Sequence, residues 1–194
     1  MKYFLALFLL VILTATAPIE ERGKWVIDYN SQLMIHGKTN VSSFTCFISC
    51  YNSTDTLNYE LDAQTKNLIF DKNKMVIPVF NFNCGNSMIT KDFRQTVNVD
   101  KYPYLNIAFL SLDRNGDDDL ASANMEITLA GVVKTATLRF TIKPKGDFIQ
   151  LTGRYAVSFS DFNLEPPNRM MGLVKVKEDL LVEFNLLIKP VAAD

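Results

Sequence analysis

The second half of this chain alternates between apolar and polar residues with a period of two, and few folds tolerate that pattern over so long a stretch. Met125, Ile127 and Leu129 fall on one side of the chain, with Asn124, Glu126 and Thr128 on the other. Ala136, Leu138, Phe140 and Ile142 oppose Thr137, Arg139, Thr141 and Lys143. Ile149, Leu151, Gly153, Tyr155, Val157 and Phe159 oppose Gln150, Thr152, Arg154, Ala156 and Ser158, and a last run sets Leu180, Val182, Phe184, Leu186 and Ile188 against Leu181, Glu183, Asn185, Leu187 and Lys189. Successive side chains of an extended chain point to opposite faces, so each run reads as a strand with one apolar face. The later runs are long for ordinary strands. Long, one-sided, consecutive strands joined by tight turns such as Asn115-Gly116 and Ala130-Gly131 predict an antiparallel up-and-down sheet closed into a barrel.

The first half fits the same plan with one interruption. Residues 24–51 hold two short alternating runs around a turn at Tyr29-Asn30, and a third after a corner at Gly37. A strand follows at residues 57–61, and residues 74–84 read as one extended run in which Pro78 implies an edge or a bulge. Residues 86–98 break the pattern: Asn86 or Ser87 can cap, and Met88, Ile89, Phe93 and Val97 recur at helical spacing. That predicts one short amphipathic helix lying across a barrel end or flank. Tyr102-Pro103-Tyr104 restores extended structure, because a residue before proline avoids the helical region. About eight such strands enclose room for side chains and, where these leave space, one small ligand. Periodicity does not distinguish a filled barrel from a hollow one. A hollow one would be lined by aliphatic and aromatic groups, so its ligand would be apolar. A membrane-spanning barrel also alternates, but with the apolar face outward; the helix, the weak aromatic girdles and the non-aromatic end at Ala193-Asp194 argue against it.

The chain of 194 residues suits one domain, and fourteen phenylalanines make disorder untenable. Residues 1–17 read as a cleavable leader: Lys2, an uncharged apolar run from Tyr3 to Leu13, then Ala15-Thr16-Ala17, leaving 18–194 as a single exported domain. The expected location is periplasmic or secreted, and the expected product is soluble. Twenty basic against 21 acidic residues give −1, or −2 once Lys2 leaves with the leader, which offers no cationic field for nucleic acid or an anionic membrane. Export permits a disulfide among Cys46, Cys50 and Cys84. Cys46 and Cys50 share a strand and lie too far apart in an extended chain to bond, so Cys46 with Cys84 is the preferred pair and Cys50 the free, buried thiol; three reduced core cysteines are the alternative. No cofactor or metal site is apparent. His36 is the one histidine and reads as structural, and no zinc-ligand spacing accompanies it. Gly37-Lys38-Thr39 lacks the upstream glycine of a phosphate loop, and the acidic run from Asp113 to Asp119 lacks the spacing of a calcium loop. Nothing argues for an enzyme.

The wording of several segments goes further than their periodicity. Trp25 with Ile27-Asp28, Ser31, the run into Gly37-Lys38-Thr39-Asn40-Val41, and Phe44-Thr45-Cys46 resemble the opening of the YceI-like family. Residues 88–102 with Pro103 are similar to the family's helix running into Tyr-Pro. Thr128 to Lys134 resembles its Thr-x-x-Gly-x-Thr-Lys hairpin, with Val133 where threonine is usual and Ala136 where proline often stands. Ser160 to Pro167, ending at Gly172, resembles its Asp-Phe-Gly-x-x-Pro segment, with Asn163 in place of glycine. The resemblance implies an eight-stranded lipocalin-like barrel of the bacterial envelope that binds a polyisoprenoid or similar long-chain lipid without catalysis. Because greasiness and not a motif defines the lining, Phe109, Ile127, Leu129, Phe140, Tyr155, Val157, Phe159 and Phe184 are the expected contacts. The alternative is an exported structural or interaction barrel with a packed interior and no ligand. Oligomeric state stays open, with a dimer as one option.

Overall fold

The computed structural model describes residues 22–48, 50–51, 53–71, 73–114, 119–169, 171 and 173–192. The leader, the turn at Asn115-Gly116, Gly172 and Ala193-Asp194 lie outside them. In chain order the strands are β1 (Arg22–Ile27), β2 (Gln32–Lys38), β3 (Ser43–Ile48), β4 (Thr56–Leu61), β5 (Leu68–Phe70) and β6 (Lys74–Pro78). A helix, α1 (Ser87–Thr96), intervenes before β7 (Tyr104–Asp113), β8 (Leu120–Leu129), β9 (Val132–Lys145) and β10 (Phe148–Ser158). Two short strands, β11 (Asn168–Arg169) and β12 (Val174–Lys175), precede β13 (Asp179–Ala192).

Each strand pairs antiparallel with the next around a ring β1-β4-β5-β7-β8-β9-β10-β13, and β1 returns to β13 to close an eight-stranded barrel. Three of its staves are broken in two. β1 and β2 lie end to end along β13, with Ile27 opposite Ile188 and Gln32 opposite Asn185. Residues 28–31 thus bulge against residues 186–187. Ser31, buried at the break, repairs the ladder: its hydroxyl accepts from Leu187 N at 3.0 Å and donates to Leu187 O at 3.3 Å. β3 and β4 continue one another against β2 and β1, and β6 and β5 lie along successive parts of β7. At the break between β3 and β4, Asp55 accepts the amide of Val76 on β6 and the hydroxyl of Tyr51, tying two staves together.

Two sequence expectations need correction here. Gly37 is no corner but lies inside β2, and the chain turns at residues 39–42. There the Thr39 hydroxyl accepts from the amides of Val41 and Ser42. A Cβ on Gly37 would sit 2.2 Å from the ring of Phe44 on the paired strand, so the missing side chain is filled by its neighbour's ring. The extended run from residue 74 also ends early. Pro78 closes β6, which pairs with β7 alone as proline's missing donor requires, and Val79–Asn81 forms a 3-10 turn that leads to α1. At the turn between β8 and β9 the chemistry matches the reading. Ala130 and Gly131 have φ of 49° and 80°, the left-handed pair that a two-residue hairpin needs.

The apolar faces point inward and the charged ones outward, the reverse of a membrane-spanning barrel. Arg139, for example, is exposed between buried Leu138 and Phe140. Among the described residues no helix is long and apolar enough to cross a membrane.

Candidate ligand cavity

The barrel interior differs at its two ends. Around β1, β4 and β5 it is packed solid. Trp25 meets Tyr59 at 5.5 Å and Phe70 at 5.2 Å, and Phe70 meets Phe109 at 5.5 Å, all tilted or edge-on as aromatic quadrupoles prefer. Small residues opposite, Ala121 and Ala123, make room for these rings and for Leu112. Around β2, β3 and β6 the side chains are mostly aliphatic and leave a cavity of about 610 Å³, within the roughly 300–1,000 Å³ of small-ligand sites.

Its floor is set by one close approach. Gly153 on β10 lies between Phe140 on β9 and Phe184 on β13, and a Cβ there would stand 2.6 Å from the Phe184 ring and 2.8 Å from Phe140. Phe184 therefore folds flat across the gap, edge-on to Phe140 at 6.0 Å. Ile127, Leu129, Tyr155, Val157, Phe159 and Phe184, six of the expected contacts, line the cavity. The structure places the other two elsewhere. Phe109 is fully buried in the aromatic plug, and Phe140 sits behind Phe184. Both point inward as their strand parity demands, but at the wrong height.

The wall also includes residues that the sequence did not single out: Leu33 and Ile35 on β2, Phe44 and Ile48 on β3, and Leu105 and Ile107 on β7. Their runs are too short, or too interrupted by bulges, to declare a face.

Helix α1 is the roof. Met88, Ile89, Phe93 and Val97, the residues whose spacing predicted the helix, all reach the cavity. Asn86 caps it, its side chain accepting from the amides of Met88 and Ile89 at 2.8 and 3.3 Å. The helix is pinned over a seam where β3 and β6 do not pair. Phe47 and Asn83 exchange backbone hydrogen bonds of 2.9 and 3.0 Å across it, and one residue beyond them Cys46 and Cys84 are joined by a disulfide. Cys50 is half-buried, not buried, and hydrogen-bonds the Tyr29 hydroxyl, raising the pKa of that phenol.

Beside the helix, the β11–β12 hairpin frames the mouth. Val174 and Val176 face inward, while the hairpin is stitched to the β2–β3 turn through Asn40, whose amide donates to Lys175 O at 3.1 Å and whose side chain donates to Leu173 O at 2.8 Å. Arg169 reaches from the hairpin to both carboxylate oxygens of Asp92 on α1, a bidentate latch across the opening. The hairpin's root is fixed by Asp161, which accepts from Lys134 on β9 and from the amide of Ser158 at 2.9 Å. Lys134, and then that amide, hold the Asp161 carboxyl down at about 2. Two separate sequence motifs thus meet in one ion pair. Asn163, where the motif favours glycine, has φ 54° and ψ 35°, a left-handed conformation that asparagine tolerates better than other residues with a side chain.

Two polar residues of the cavity wall, Ser31 and Tyr51, are already engaged within the fold. Ser31 bonds Leu187, and the Tyr51 hydroxyl donates to Asp55; burial first, then that carboxylate, push its pKa up. His36 lies outside the cavity lining, where it meets Thr45 at 3.0 Å and stands 3.9 Å from Glu183. Among the described residues no cluster of histidine, cysteine or carboxylate side chains could hold a metal ion.

A closed eight-stranded barrel, plugged at one end and hollow under a helix at the other, is a lipocalin-like barrel with an internal cavity. The chain belongs to the YceI-like family: the YceI-like domain matches residues 25–188. A search of curated proteins finds no match. Among solved structures, the fold is similar to a polyisoprenoid-binding domain from Saccharophagus degradans implicated in plant cell wall breakdown, with a TM-score of 0.63 and 14% identity over 87% of this chain and 98% of that one. It is also similar to BcnA of Burkholderia cenocepacia, with a TM-score of 0.59 and 16% identity over 83% of this chain and 98% of the other. At such identities these likenesses bear on the fold.

Proposed function

We propose that the protein is an exported, non-catalytic carrier that holds one long-chain apolar lipid, a polyisoprenoid being the favoured class, with its chain in the cavity beneath α1. The observation that carries this reading is the hollow itself: about 610 Å³ walled by aliphatic and aromatic side chains in an otherwise close-packed barrel. Burial gains about 0.8 kcal/mol per methylene, hence roughly 4 kcal/mol per five-carbon isoprene unit. Association costs about 4–15 kcal/mol, so a single unit gains nothing, whereas a chain of more than about four units binds with a surplus. Membership of the YceI-like family and the fold shared with a polyisoprenoid-binding domain support the same class of ligand. The hollow disfavours the alternative of a packed interaction barrel.

Native mass spectrometry of the purified mature protein should show a bound long-chain lipid, or a one-to-one adduct after incubation with a polyprenol. Absence of both an endogenous lipid and any uptake would refute the carrier reading and leave the interaction barrel. Export belongs to the same proposal. The amino terminus of protein recovered outside the cytoplasm should begin near residue 18; an intact Met1 would remove the leader.

A further inference from the structure

Apolar side chains stand exposed around the mouth, where nothing among the described residues covers them. Val41 at the tip of the β2–β3 turn is 70% exposed, Met88 on α1 60%, Leu173 on the β11–β12 hairpin 70%, and Met171 beside it fully exposed. The Asn40 bonds hold Val41 next to Leu173, and the Asp92–Arg169 latch ties the hairpin to the helix that carries Met88. Met88 also lines the cavity, so this rim is continuous with the lipid-like interior.

Charge is distributed to match. The chain as a whole is at −1. Yet the β2–β3 turn and the β11–β12 hairpin carry Lys38, Lys175 and Lys177 at the mouth, while Arg169 and Asp92 cancel in the latch and Arg94 is taken up by the carbonyls of Phe80 and Phe82. Lys38, Lys175 and Lys177 are exposed and adjacent, because Lys177 N donates to Lys38 O while Val174 and Val176 turn inward between them. The nearby acids sit at the hairpin's root, where Glu178 accepts the amide of Ser160. Apolar tips set among lysines are the composition that seats a protein in the headgroup region of an anionic bilayer.

We propose that the barrel docks mouth-first on an anionic lipid bilayer, with Val41, Met171 and Leu173 entering the interface and Lys38, Lys175 and Lys177 held by headgroup phosphates. Docked this way, the cavity opens onto the layer in which a polyisoprenoid would reside. That purpose rests on the carrier reading, but the surface itself can be tested without any ligand.

The mature protein should float with vesicles of equimolar phosphatidylglycerol and phosphatidylcholine that contain no polyisoprenoid, and bind phosphatidylcholine vesicles much more weakly. Replacing the three lysines by glutamine should weaken binding roughly a hundredfold. Val41→Ser with Met171→Ser and Leu173→Ser should weaken it at least about tenfold; all these positions are exposed, so folding should be unaffected. Equal retention by neutral vesicles, no retention at all, or variants that bind like the native protein would overturn the docking. Self-association abolished by the serine variant, without vesicle binding, would also overturn it and assign the rim to a second copy of the chain. Vesicle binding without polyprenol uptake would refute the carrier while leaving the docking surface standing.

Discussion

Removing the Cys46–Cys84 disulfide tests whether the roof is held by the covalent link or by its own packing. The bridge spans a sequence separation of 38, and for a loop of that length the chain-entropy relation gives about 4 kcal/mol of stabilisation through the unfolded state. Whole domains are stable by only about 5–15 kcal/mol. At about 2–4 °C per kcal/mol for a chain of this size, the midpoint of thermal unfolding should fall by about 8–16 °C. Alanine is the right replacement, because Cys46 is fully buried and a serine hydroxyl there would add its own desolvation cost. Cys50 should be serine in every comparison, so that the free thiol cannot exchange with the bridge. Trp25, the only tryptophan, is a convenient reporter because it sits in the plugged end, away from the change. A midpoint lowered by less than about 3 °C would refute the assignment of that stability to the bridge. Location is tested by hydrogen exchange: in the alanine variant the amides of α1 and of Phe47 and Asn83 should be accelerated more than the loss of global stability alone requires, while the slowest amides of the strands around Trp25 should be accelerated only by that global factor. Acceleration by the same factor at the roof and in the core would mean that the bridge acts only through the unfolded chain, and would refute its role as a pin for the roof.

Gly153→Ala should cost about 1–3 kcal/mol in urea unfolding, because its Cβ would press on Phe184 and Phe140; polyprenol uptake should fall as Phe184 is pushed into the cavity. Asp161 has a folded pKa of about 2, below the ordinary carboxylate value near 3.9, so its contribution is present above about pH 4 and is lost as the pH falls toward 2. Lys134 is 41% exposed, which limits the pair to no more than about 1 kcal/mol. Asp161→Asn should therefore be less stable than the native protein at pH 6, with the gap closing by pH 2 in denaturant titrations. At Asn163, glycine should be neutral or slightly stabilising, and alanine should cost about 1–2 kcal/mol because it must hold a left-handed backbone; equal midpoints for the two would contradict the assigned conformation.

Which way a side chain faces was readable, and how far along the barrel it lies was not. Strand parity depends only on the local chain, so the runs through Ile127, Val157 and Phe184 assigned their own inward faces correctly. Height depends on the shear between strands, which no single strand encodes, and Phe109 and Phe140 show the consequence. Broken staves were harder still. β5 has three residues and β11 and β12 two each, too few for alternation to register. Gly37 was misleading for a different reason: a glycine in a strand can mark a turn or a partner's ring lying over it, and only the position of Phe44 decides. The helix was legible from its spacing, but its service as the roof depends on the seam between β3 and β6, a tertiary fact. The hairpin bearing Arg169 had no signal beyond the loop motif preceding it.

The two ends of the barrel follow from the size of the residues placed there. Trp25, Tyr59, Phe70 and Phe109 fill a cross-section that alanines on β8 help to accommodate. Valine, isoleucine and leucine on the same staves a few residues further on leave that cross-section open. An unfilled apolar wall forfeits the dispersion contacts that a packed core makes, so the hollow end is intrinsically the weaker one. It is also where the added restraints are concentrated: the disulfide, the Asn86 cap, the Asp92–Arg169 latch and the Asn40 stitching all bear on the roof or the mouth. All but the disulfide are polar contacts, and all lie away from the plug. On the proposed carrier reading, a lipid chain in the hollow would supply the missing contacts to the part of the fold that lacks them, while the aromatic end would keep the barrel closed whether or not the site is filled.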